Sequence, residues 1–297
     1  MISVRESEKK PEIRTGRVKC LSPGGFHHMA YVEWGDPSNP RVLVCVHGLT
    51  RCARDFDFLA RALQNDFRVV CPDVVGRGQS DWLQNKSLYG IPQYCADMMV
   101  LLARLNVAEI VWLGTSMGGL IGMALAAGAN SPIRRLVLND VGPVVSAVSM
   151  KRIGDYLGRP ISFESIEQAE AALRVIAAPF GPLSDEQWRH LTTHSCRTNA
   201  EGKLVFAYDP GIADPFRTLV AASEGRDMDL WPMFDAIRCP TLVMRGAESD
   251  LLTRETVQAM AQRGPRARWI EFPGIGHAPA LMTSDQQTPV RDFLLST

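Results

Sequence analysis

The chain has 297 residues, 46% of them apolar and 22% charged, and a chain this long buries roughly three quarters of its unfolded surface, enough for a large core without staples. Thirty-two basic residues balance thirty-two acidic ones, so no overall field draws the protein to nucleic acid or to an anionic membrane. The seven cysteines (20, 45, 52, 71, 95, 196 and 239) form no CxxC pair, which argues against a zinc site or a disulfide framework and for reduced thiols in a cytoplasmic protein. The first dozen residues, MISVRESEKKPE, lack the apolar stretch of a signal peptide, and no later segment has the ~20 apolar residues of a membrane span. A soluble, cytoplasmic protein is expected, with small molecules rather than nucleic acid or membrane as partners.

Two short segments bounded by Gly and Pro, 18–22 and 28–34, read as a strand hairpin. Apolar, β-branched runs follow at 41–46, 67–71, 109–114 and 134–140, with helical spacing between them, as at Phe56, Leu59, Ala60 and Leu63. Continuous apolar strands alternating with helices imply a parallel sheet covered on both faces. The alternation stops over 144–233, where helical patches (165–177 and 184–193) are divided by Gly and Pro. It resumes with PTLVMRG at 240–246, a helix over 254–263, a strand at 267–272 and a terminal helix. The expected organisation is an α/β core built from 1–143 and 234–297, with 144–233 inserted as a helical cap.

The most informative segment is EIVWLGTSMGGLIGMALAAG. An apolar strand runs into Gly114-Thr115-Ser116-Met117-Gly118, and a helix of small residues follows at once. This is G-x-S-x-G in its meaningful setting, strand then sharp turn then helix. Such a turn forces a strained backbone at Ser116 and leaves no room for bulk two residues to either side. It also places the hydroxyl at a helix N-terminus, where developing negative charge is stabilised.

A serine hydroxyl needs a base to take its proton. Among six histidines, His277 stands in FPGIGHAPAL, a loop just past the last strand, from which it can reach Ser116. His27 and His28 belong to the early hairpin, where alternation buries one and exposes the other. His190 and His194 are four apart on a helix, but HLTTH lacks the carboxylate of HExxH, so no metal is expected. The base in turn needs an acidic acceptor. Asp250, after the strand 240–246, is the preferred acid, because consecutive parallel strands are often neighbours whose C-terminal loops meet. Glu248 on the same loop and Asp140 at the end of LVLND are the alternatives.

Together these segments resemble the α/β-hydrolase superfamily over nearly the whole chain except the cap. His47-Gly48-Leu49 is similar to its HG oxyanion loop, Asp73 to Ser80 to its D-x-x-G-x-G-x-S turn, and Gly276-His277 to its histidine loop. The order Ser, Asp, His also matches that fold. The resemblance implies a mostly parallel eight-stranded sheet, with His47 and Gly48 supporting an oxyanion hole made by the N–H groups of Leu49 and Met117. It also implies that Asp140 is a position some relatives use for the acid. The family expectation is a serine hydrolase, closest to small carboxylesterases and lactonases, that cleaves an ester or lactone through an acyl-enzyme without a cofactor. A C–C bond hydrolase would share the triad, but HGLTRCA lacks the Gly-Pro-Gly often found there. A ligand-binding receptor on a retained triad is the alternative from another class. Dehalogenases and epoxide hydrolases would need aspartate at 116. Of the aromatic residues in the cap segment, Trp188, Phe206, Tyr208, Phe216 and Trp231 are the candidates for an acyl pocket, with packing against the core the plainer use for most of them. Arg51 and Arg54, just past the HG loop, are candidates for contact with an anionic substrate, with solvated helix-start charges as the plainer reading.

Overall fold

The computed structural model describes residues 13–296; the N-terminal dozen, read above for a signal sequence, lie outside the described residues. Eight strands form the main sheet: β1 (Arg14–Ser22), β2 (Gly25–Trp34), β3 (Val42–Val46), β4 (Arg68–Pro72), β5 (Ile110–Thr115), β6 (Ile133–Asn139), β7 (Thr241–Gly246) and β8 (Arg268–Phe272). Their spatial order is β1-β2-β4-β3-β5-β6-β7-β8. Pairings within β1-β2-β4 are antiparallel, and all those from β4 through β8 are parallel. This is the mostly parallel eight-stranded α/β-hydrolase sheet expected from sequence, and its strand limits fall close to the apolar runs.

The middle strands are apolar throughout because both faces are covered. In β3, Val42, Val44 and Val46 pack into one core, while Leu43 and Cys45 pack into another on the opposite face. The first core is closed by α2 (Ile91–Leu105), α3 (Met117–Ala126) and α9 (Arg254–Met260), through residues such as Met98, Ile121 and Val257. The second is closed by α1 (Asp57–Leu63) and α10 (Ser284–Leu295), through Leu59, Leu63, Val290 and Phe293. Period-two alternation along β3 thus divides its side chains between two layers of helices.

Between β6 and β7 the chain leaves the sheet for α4 (Ala147–Tyr156), α5 (Ile166–Ile176), α6 (Asp185–Ser195), α7 (Ala213–Ala222) and α8 (Trp231–Ala236). Ser146, Ser165 and Ser184 cap α4, α5 and α6 through their side chains, which explains why the Gly- and Pro-divided patches still start helices cleanly. Short extended pieces are also present. Val144–Val145 pairs with Met228–Asp229, so the segment leaves and returns at one place, and Cys196–Thr198 pairs with Leu204–Phe206.

Candidate active site

The turn after β5 is very tightly packed. A Cβ on Gly114 would lie 2.2 Å from the Gly118 carbonyl, and one on Gly118 would lie 2.0 Å from the Val46 carbonyl oxygen. Only hydrogen fits at either place, and that close approach lets β5 turn directly into α3. Ser116, held between them, has φ 52° and ψ −116°. A side chain rarely adopts a positive φ, and the fold holds this one there with its oxygen clear of the helix.

His277, on the loop after β8, accepts at Nε2 from the Ser116 hydroxyl at 2.9 Å. Its Nδ1 lies 2.7 Å from Asp140 Oδ2. A proton on Nδ1 and a free lone pair on Nε2 satisfy both contacts, which is the tautomer a base acting on serine requires. Asp140 follows β6 and is completely buried. Its carboxylate also accepts from the Gly246 N–H at 2.9 Å and the Ser249 hydroxyl at 2.6 Å. Neighbouring Asn139 donates to Thr115 beside the nucleophile and to the Pro279 carbonyl just past His277. The end of β6 thereby ties the serine turn to the histidine loop.

The preferred acid of the sequence reading is therefore corrected. Asp250 turns outward, its side chain 53% exposed and paired with Arg152 of α4 at 2.8 Å. Glu248 is likewise exposed. Of the loop Ala247-Glu248-Ser249-Asp250, only Ser249 is buried, and it serves the Asp140 carboxylate instead of replacing it. β6 lies between β5 and β7, beside the serine turn and one strand removed from β8, whose loop carries His277. Which carboxylate faces His277 is decided by the direction of one loop residue.

His47, at the end of β3, is fully buried. Its Nδ1 donates to the Gly48 carbonyl at 2.7 Å, and its Nε2 accepts from the Val74 N–H at 2.9 Å. In a trans peptide the N–H points opposite to the C=O. Pinning the Gly48 carbonyl on one side therefore aims the Leu49 N–H to the other. The Ser116 carbonyl is held the same way by the Gly119 and Leu120 N–H groups, at 2.8 and 3.1 Å, which aims the Met117 N–H out of the start of α3. Burial lowers the His47 pKa from 6.5 to about 4. Between those values the unfolded chain takes up a proton that the folded site refuses. Its contribution to stability is complete above 6.5 and is lost as the pH falls through about 4. Nitrogen-detected NMR of the imidazoles should find His47 neutral and protonated on Nδ1 at pH 7, titrating only near 4. A ring that titrates near 6.5 would contradict this.

The D-x-x-G-x-G-x-S turn locks the loop behind. Asp73 accepts from the Ala53 and Gln79 N–H groups at 2.7 and 2.8 Å, and burial pushes its pKa up to about 6. Arg77 is wholly buried and has no carboxylate partner among the described residues. Its guanidinium donates to the Leu49 and Val75 carbonyls and the Tyr94 hydroxyl, and approaches Met117 Sδ at 3.5 Å. It therefore contacts both Leu49 and Met117, which line the cavity beside Ser116.

A cavity of about 170 Å³ opens beside Ser116 and Met117, with Tyr94, Met150, Ile153, Phe216 and Leu251 among its lining. Among the described residues, no charged side chain lines it. Of the five aromatic residues proposed from sequence, only Phe216 is there. Trp188 is buried with Leu173 and Leu191, Phe206 and Tyr208 line a separate groove, and Trp231 packs on Phe234. Tyr89 and Tyr94, which precede or begin α2, also border the cavity and carried no sequence signal. The other histidines stand apart from the site. His27 is buried against Asp97 at 3.0 Å, and His190 donates to the Arg54 carbonyl at 2.9 Å. Arg54 itself is paired with Asp57.

A sequence profile of the alpha/beta hydrolase family matches residues 43–292. The 3-hydroxybutyrate-oligomer hydrolase of Cupriavidus necator is 51% identical over 92% of this chain and 94% of its own length. The N-formylmaleamate deformylase of Pseudomonas putida is 26% identical over 83% of this chain and 85% of its own. Among solved structures, an alpha/beta hydrolase from Novosphingobium aromaticivorans superposes with a TM-score of 0.83 at 38% identity, over 97% of this chain and 99% of that one. The chain belongs to the alpha/beta hydrolase family.

Proposed function

We propose that this enzyme is a serine hydrolase cleaving short oligoesters of a hydroxy acid, of the 3-hydroxybutyrate type, through an acyl-enzyme. The observation that carries the chemistry is the continuous chain Ser116 Oγ–His277–Asp140, with contacts of 2.9 and 2.7 Å. Ser116 Oγ attacks the ester carbonyl carbon as its proton passes to His277 Nε2, and Asp140 supports the imidazolium. The oxyanion forms between the Leu49 and Met117 N–H groups, a pair whose single loss typically costs about 10²–10³ in rate. His277 returns the proton to the departing alkoxide. Water then attacks the acyl-enzyme by the same route and restores the serine.

Support for the substrate class comes from the relative at 51% identity, which is a 3-hydroxybutyrate-oligomer hydrolase, and from the small apolar cavity beside Ser116. In this reading the segment 144–233 is a cap, supported by Met150, Ile153 and Phe216 from that segment lining the cavity. The test is turnover of the linear 3-hydroxybutyrate dimer followed by release of the monomer, with p-nitrophenyl butyrate as a general ester. Many turnovers of both are expected. Turnover of the nitrophenyl ester without the dimer would leave an esterase of another specificity.

A further inference from the structure

Among the described residues the cavity beside Ser116 has no charged lining side chain, yet a linear hydroxy-acid oligomer carries a carboxylate at one end. Burying that carboxylate unpaired among apolar side chains would be very unfavourable. The two ends of the substrate are therefore not equivalent for this site. The acyl part of the scissile ester ends in a neutral hydroxyl, and the leaving alcohol bears the carboxylate. The leaving oxygen must sit by His277 to receive its proton, and in the shortest leaving group only a methine and a methylene separate that oxygen from the carboxylate.

Arg51 stands close to this position. A Cβ placed on Gly48 would lie 3.7 Å from Arg51 Cγ and 3.7 Å from Ser116 Cβ, so a single glycine separates the arginine stem from the nucleophile. The guanidinium lies 5.8 Å from the Phe180 ring centroid. The adjoining Pro179 carbonyl accepts the Gly276 N–H at 2.7 Å, next to His277. The Arg51 stem and the histidine loop thus lie beside Ser116 outside the cavity lining, with Phe180 against the guanidinium. Arg51 Nε and Nη2 donate to Asp55, each at 2.7 Å. That fork fixes the plane of the guanidinium and leaves Nη1 without a partner among the described residues. The side chain is 12% exposed, and Nη1 is not among the sealed, unpartnered atoms.

We propose that Arg51 is the specificity-determining residue for the carboxylate of the leaving hydroxy acid, so that the oligomer binds with its hydroxyl end in the apolar cavity and is cut at the ester next to its free carboxyl end. The assignment rests on the oligoester reading above. The deacylation water later takes the place of the departed hydroxy-acid anion, and the shortened hydroxy acid leaves the cavity last.

The test compares the 3-hydroxybutyrate dimer as free acid with the same dimer capped as its carboxamide, in wild type and in Arg51→Gln, Arg51→Lys and Asp55→Asn. Within each protein the quantity read is the ratio of the two kcat/KM values, in which any general damage to the loop cancels. Wild type should favour the free acid by at least about tenfold, as one charge-assisted pair provides. The ratio should fall to about one in Arg51→Gln, hold an intermediate value in Arg51→Lys, and rise in Asp55→Asn, which removes the neutralising carboxylate. Equal rates in wild type, or an unchanged ratio in Arg51→Gln, would overturn the proposal while leaving the oligoester reading intact. If Arg51→Gln does not fold, the wild-type ratio and its rise in Asp55→Asn decide alone. Cleavage of neither dimer by an enzyme active on p-nitrophenyl butyrate would overturn the substrate reading and this inference with it.

Discussion

Ser116→Ala should lower kcat on p-nitrophenyl butyrate by about 10⁴–10⁶ and leave the thermal midpoint of unfolding near that of wild type. The two expectations have separate causes. The backbone at position 116 has a positive φ whichever residue occupies it, and alanine carries the same Cβ as serine, so the strain of the turn is unchanged. What disappears is the oxygen that accepts the acyl group in the proposed mechanism, together with its 2.9 Å contact to His277. Without a covalent route, the proposed oxyanion donors and the cavity would still bind the ester and set a floor above the uncatalysed rate. Steady-state kinetics and a melting curve on one preparation check both halves.

Asp140→Asn should lower kcat by about 10³–10⁴, whereas Asp250→Asn should change it by less than about fivefold. At position 140 the carboxylate accepts from His277 Nδ1, the Gly246 N–H and the Ser249 hydroxyl. An asparagine there turns one acceptor oxygen into a donor nitrogen. If that nitrogen faces His277, the ring must present a lone pair at Nδ1 and its proton at Nε2, so it can no longer take the serine proton. If it faces Gly246, two N–H groups oppose each other in a buried site, and stability falls instead. Asp250 has no such setting. Its pairing with Arg152 is half exposed on both sides, and a pair of that kind is worth about 0–1 kcal/mol. Equal losses in the two variants would mean that Asp250 turns inward during the reaction.

Much of the arrangement was readable from local pattern. The strands could be read because the middle of the sheet is buried on both faces and leaves apolar runs such as Val42–Val46 and 136–138. Ser116 stood out because the turn tolerates only glycine at positions 114 and 118, and His277 because a Gly- and Pro-rich loop follows the last strand. The contact of His277 with Asp140 in place of Asp250 was not readable in the same way. Both aspartates end neighbouring strands, and the choice depends on Ser249 pointing in while Asp250 points out. That direction is set by tertiary contacts such as the Glu248 N–H to the Ile275 carbonyl at 2.9 Å, which no spacing encodes. The cavity lining was also hidden. It draws Tyr89 and Tyr94 from the core alongside Met150, Ile153 and Phe216 from the segment between β6 and β7. Aromatic content along that segment is a poor guide, because rings such as Trp188 serve packing.

In the proposed mechanism Ser116 forms a covalent bond to the substrate's acyl carbon. A fluorophosphonate esterifies such a serine irreversibly, and intact-mass and peptide mass spectrometry can locate the adduct. Wild type should gain a single adduct on the peptide that contains Ser116, with concomitant loss of ester hydrolysis, and Ser116→Ala should gain none. An adduct on any other residue at the rate of inactivation, or an adduct on Ser116→Ala formed as fast as on wild type, would contradict a Ser116 nucleophile.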